Sequence, residues 1–216
     1  MGTLWLSAVA IEEVRAIFGA PEPEAEALRA LAAEHFGPPA GRQPGLLGKL
    51  GPVFRRPADA PVVRPDTPVR EDCDRLLRGE YVPPHRLAAS WRLLRVWIAA
   101  RAWSTHTTDV DEHALNAIEF DLARAGVPAR HSVRALMVRD LETGMFPAPG
   151  MAAGYCTGDQ AVAAAASWAA VRSELEPATA QWIGDLLGWL EEFPQWTTSA
   201  AAAHRRPPDL ISLLTA

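Results

Sequence analysis

PHRLAASWRLLRVWIAARAWSTHTTDVDEHALNAIEFDLARAGV, residues Pro84–Val127, carries the pattern from which the rest of the fold can be placed. In its first half Leu87, Trp91, Leu94 and Ile98 recur at helical spacing, while Leu93, Val96, Trp97 and Ala100 fill other sides of the same helix. A helix apolar nearly all round is a buried one, so the remaining elements are expected to pack around it. Trp91, Trp97 and Trp103 recur every six residues, a step that turns each ring about 240° from the last. They read as separate core anchors rather than an aromatic box on one face. The second half predicts a helix from near Asp109 or Asp111 to Ala125, with Leu115, Ile118, Leu122 and Ala125 on one stripe and Gly126 as terminator. Between the two lies STHTTDVDEH, Ser104–His113, which reads as a polar turn.

Towards the N-terminus the chain opens with Leu4–Val9, an apolar run too short for a helix and bulky enough for a buried strand. Ile11, Val14, Ile17 and Phe18 then take up helical spacing, closed by Gly19. A second helix is expected from about Pro23 to Phe36, with a stripe of Ala27, Leu28, Leu31 and Phe36, early glutamates that complement its N-terminal dipole, and Gly37 as its stop. Residues 37–68 hold eight prolines and five glycines. No helix survives that composition, so the segment reads as a loop or flap, either a lid or partner-binding arm or a tolerated surface insertion. A third helix follows over Val69–Arg78.

Beyond Val127 a short helix is expected around Ser132–Val138, and then a loop, TGMFPAPGMAAGYCTG. Thr157 with Gln160 makes a capping box for an alanine-rich helix, whose small side chains admit close neighbours. Pro177 opens another helix, with Trp182, Leu186, Trp189 and Phe193 as its core stripe and Pro194 as its end. The terminal DLISLLT, Asp209–Thr215, is a candidate strand to pair with Leu4–Val9.

Composition bounds the function classes. The chain has 216 residues, 49% of them hydrophobic, and eight tryptophans, which suits one globular domain with a sizeable core. A net charge of −5 with dispersed arginines argues against a general nucleic-acid surface. The first residues lack a basic region ahead of their apolar run, and no apolar stretch approaches the roughly 20 residues of a membrane span. Cys73 and Cys156 fit neither a zinc spacing nor a disulfide framework, and read as reduced thiols of a cytoplasmic protein. Lys49 is the one lysine among the basic residues, a bias that suits a high-GC bacterium.

Titratable side chains crowd in one place, the 104–113 segment. His106, Asp109 and His113 are the catalytic candidates there, since a histidine beside a carboxylate titrates near neutrality. The alternative is a helix cap at Asp109 completed by Glu112, with solvated histidines. Trp103, Glu112, Asn116, Glu119 and Tyr155 are candidate ligand-binding residues. Cys156, just ahead of a helix start, is a weaker candidate thiolate. No metal site, cofactor fingerprint, phosphate-cradling loop or nucleophile elbow can be read.

Four stretches carry a resemblance: LWLSAVAIEEVRAIFG, PVREDCDRLLRGEY, ALNAIEFDLARAGV and FPAPGMAAGYCTGDQAVAAA. Together they resemble an uncharacterised actinobacterial family known as a domain of unknown function, over most of the chain. The resemblance implies no established activity, cofactor or catalytic residue. Such proteins end in a strand with an aromatic pair, whereas this chain ends LISLLTA. The expected fold is α+β, strongly helix-dominated, with seven to eight helices around the central buried one and a minor sheet from the two chain ends. Two functions stay open: a ligand- or protein-binding module of the regulatory or immunity kind, or a small-molecule enzyme of actinobacterial specialised metabolism with a Trp-lined pocket and acid/base residues at 104–113. The partner is a small molecule or a protein, with no nucleic acid and no membrane.

Overall fold

The computed structural model describes residues 2–37 and 65–215. The N-terminal run is a strand, β1 (Thr3–Val9), and it lies inside a four-stranded antiparallel sheet. Its neighbours are β2 (Ser104–Asp109) and β4 (Asp209–Thr215), and β3 (Met151–Cys156) completes the order β2-β1-β4-β3. Thr3 faces Thr215 and Val9 faces Asp209 across the β1–β4 ladder, so the terminal segment pairs with the first strand.

Alternation along β1 sends Leu4, Leu6 and Ala8 to one side and Trp5 and Val9 to the other, and all five are buried. Both faces of the sheet are therefore covered, which is why LWLSAV shows no polar alternation. One layer holds α1 (Ile11–Arg15), α2 (Glu22–Phe36), α3 (Arg70–Leu77) and α4 (Leu87–Arg101). The other holds α5 (Glu112–Arg124), α6 (Gly158–Val171), α7 (Pro177–Leu190) and α8 (Phe193–Ala202). The fold is α+β and helix-dominated, with the sheet as its middle layer.

Within its layer α4 buries Leu87, Trp91, Leu93, Leu94, Trp97 and Ile98. Trp91 donates its indole N–H to the Phe146 carbonyl and Trp97 to that of Leu28, each at 2.9 Å. The two rings do leave the helix in different directions. Trp103 lies beyond the end of α4, where its backbone N–H bonds Ala8 and starts the β1–β2 ladder. In α2 the buried stripe is Ala25, Leu28 and Ala32, and Ala27 is exposed. Gly126 closes α5 at φ 89°, the left-handed conformation that a helix terminator takes. Asp209, at the start of β4, accepts the Ile11 N–H at 2.9 Å and so caps α1 from the far end of the chain.

Three expectations are corrected. Residues 104–109 are not a turn but the edge strand β2, whose threonines suit a strand while its polarity hides it from a hydrophobic pattern. The loop expected after Thr143 contains β3, whose small residues let the 3-10 helix Arg134–Met137 close over it. Pro194 does not end the preceding helix; it sits in the first turn of α8, where its missing N–H costs nothing. The loop or flap expected at 37–68 lies, from residue 38 to 64, outside the described residues.

Candidate functional site

The pleat of β2 disperses the residues of the 104–113 segment. Ser104, His106 and Thr108 face the α5–α8 layer, and Thr105, Thr107 and Asp109 face the opposite side, exposed. The His106 ring lies 5.9 Å from that of Trp189, whose indole N–H donates to Ser104 Oγ at 2.9 Å. His106 Nε2 is buried without a hydrogen-bond partner among the described residues. Burial lowers the pKa of this imidazole, and the Asp185 carboxylate opposes that shift. Asp109 points away from it, and the α5 cap is Asp111, which accepts the Ala114 N–H at 2.8 Å. His113 and Glu112 are exposed in the first turn of α5. The structure thus does not bring His106, Asp109 and His113 together.

The other candidates have structural partners. Glu119 accepts the Arg134 backbone N–H and Asn116 Oδ1 accepts its guanidinium, both at 2.7 Å, fastening the 134–137 turn to α5. Burial raises the Glu119 pKa, against the Arg134 backbone N–H it accepts and the nearby Arg134 charge. Trp103 lies under the Arg205 guanidinium at 4.6 Å, and Arg205 is ion-paired with Glu13. Tyr155 has Arg15 and Arg139 over its ring at 5.7 and 5.8 Å. Burial pushes the Cys73 thiol up to about 11 and the Cys156 thiol up to about 12, so Cys156 is no thiolate at the start of α6.

A cleft whose residues the sequence reading did not single out lies beside α4. There α2, α4 and β1 line an open cleft of about 530 Å³ with Trp5, His35, Phe36, Arg92 and Arg95 among its walls and Leu31, Val96, Ala99 and Ala100 as apolar lining. This volume is that of a small-molecule site. Arg92 and Arg95 are one helical turn apart on α4 and each lies over an aromatic ring: Arg95 5.2 Å from the centre of Trp5, Arg92 5.8 Å from that of Phe36. Their electrostatics differ. Arg92 is ion-paired with Asp66 at 2.9 Å. Arg95 is partly buried and has neither an ion pair nor a hydrogen-bond acceptor among the described residues, and burial, then the neighbouring Arg92, lowers its pKa. A guanidinium presents five donors that water or an acceptor must satisfy. The hollow between α2 and the start of α3, about 580 Å³, is less telling, because its Arg29 is bound to Glu22 and Asp74.

One signal could have pointed here: two arginines three apart in the middle of a mostly apolar helix. Trp5 and Phe36 could not be assigned to the same site, since only the fold brings β1 and the end of α2 to α4. Among the described residues no group of histidine, cysteine and carboxylate side chains is arranged to hold a metal ion, and no helix is long and apolar enough to cross a membrane. No curated protein and no solved structure matches the chain. Residues 1–214 match the family described as a domain of unknown function (DUF7691), and the chain belongs to that family.

Proposed function

We propose that this protein is a ligand-binding module whose seat is the cleft between α2, α4 and β1, and that its ligand is an organic anion. The observation that carries the reading is Arg95, a partly buried cation without a carboxylate partner among the described residues, set in a largely apolar cleft. Removing a guanidinium from water is costly unless its charge is matched, so such a site gains from an incoming anion. The lining favours binding over turnover: among the described residues it includes no carboxylate, thiol or hydroxyl. A regulatory role, in which occupancy is read out by a partner, suits that chemistry.

The test is a titration of a panel of small organic acids into isotope-labelled protein, followed at the Trp5 indole signal assigned through Trp5→Phe. Saturable movement of that signal, lost in Arg95→Gln with the fold retained, is expected. A Trp5 signal indifferent to every acid would overturn the reading. The enzyme alternative rests on His106, whose buried Nε2 has no hydrogen-bond partner among the described residues. A His106→Gln variant that retains every ligand-dependent response would remove that support.

A further inference from the structure

We infer that the anion taken by this cleft is an aromatic monocarboxylate, with its carboxylate on Arg95 and its ring beside Trp5 and Phe36. The inference rests on the reading of the cleft as a binding site, and adds the ligand's charge, headgroup and body.

Charge comes from counting the arginines among the described residues of the walls. Of the two arginines, Arg92 is matched by Asp66 at 2.9 Å and Arg95 has no match among the described residues. One unmatched guanidinium balances one negative charge. A phosphate monoester, with a charge of about −1.5 to −2 near neutrality, would bring an excess into a mostly apolar cleft.

The headgroup follows from donor geometry. A guanidinium lying over an indole can keep N–H groups on its edge for a planar acceptor, and the carboxylate matches that fork with two parallel hydrogen bonds. The body follows from the walls. Trp5 and Phe36 offer aromatic surface, and Ala99 and Ala100 leave open space along α4. An aromatic ring gains from edge and face contacts with such walls beyond its buried area, a gain unavailable to an alkyl chain.

Four probes decide the matter by calorimetry on the full chain: phenylacetate, phenylacetamide, phenyl phosphate and octanoate. Phenylacetate is expected to bind most tightly, with the isosteric amide weaker by about tenfold or more, the scale of one charge-assisted hydrogen bond. Arg95→Gln should bring phenylacetate down to the level of the amide, and Arg95→Lys, which keeps the charge but not the fork, should fall between. Should Arg95→Gln not fold, the acid–amide ratio in the unaltered protein carries the decision. Tighter binding of octanoate or phenyl phosphate that still depends on Arg95 would overturn the ligand class and leave the binding site standing. Phenylacetate binding that ignores Arg95, or no binding by any probe, would overturn both.

Discussion

Single buried groups decide much of the stability here, and Asp121 is an example. On α5, its carboxylate accepts the Glu176 N–H at 2.7 Å ahead of α7 and the Arg124 guanidinium at 2.7 Å. Burial alone would raise its pKa, but the bonds from Arg124, Glu176 and Thr179 outweigh burial and hold it below the usual carboxylate range. Because the folded-state value lies below the unfolded one, the stabilisation is present above about pH 4 and is lost as pH falls through the folded-state value. Asp121→Ala should cost roughly 1–3 kcal/mol at neutral pH. In urea unfolding at a series of pH values, the gap to the unaltered protein should narrow as the solution is acidified; a constant gap would refute this account. Trp97→Phe should lose roughly 1 kcal/mol or more by leaving the Leu28 carbonyl without its donor, a change read in the same unfolding experiment. That Trp97 is a core anchor was legible from its place in the α4 pattern. Its acceptor, 69 residues away, was not.

At the level of elements, legibility followed amphipathicity. Helices with caps or apolar stripes, α2 to α7, could be placed within a few residues, because propensity and burial point the same way. The elements missed are those whose local signal is set aside by tertiary context: β2, polar on both faces because it is an edge; β3, built of small residues because a turn lies on it; and α8, whose opening proline resembles a stop. The site was hidden for the same reason, as its walls come from three elements and only the Arg92–Arg95 spacing is local. The packing over β3 makes a sharp expectation. A Cβ on Gly154 would stand 2.2 Å from the Met137 carbonyl oxygen, so Gly154→Ala should destabilise by about 1–3 kcal/mol. Gly188, in α7, has open space around its would-be Cβ and no positive φ, so Gly188→Ala should stabilise by about 0.5–1 kcal/mol. Thermal melts of the two variants should move in opposite directions, and movement in the same direction would contradict the packing described.

For the molecule as a whole, the middle sheet makes the two helical layers interdependent. Each layer's apolar cluster includes residues of β1 and β4, so neither can detach without exposing a face of the sheet. Cys73 lies in one cluster and Cys156 in the other, both buried and both with pKa values well above neutrality. Under native conditions neither thiol should react with a disulfide reagent, and across a urea titration both should become reactive at one midpoint. Two separate midpoints would show that the layers open independently. The general architecture, helices around a small sheet joining the two ends, was legible because those ends are the runs most like strands. The division into two layers was not, since nothing in the sequence of β1 says which helix covers which face. The pairing of β1 with β4 also sets an order on synthesis. Residues 3–9 are made well before residues 209–215, their central partner. Until β4 is made the apolar strand β1 has at least one edge unfilled, packing against α4 is its available cover, and the sheet closes only once residues 209–215 have been added.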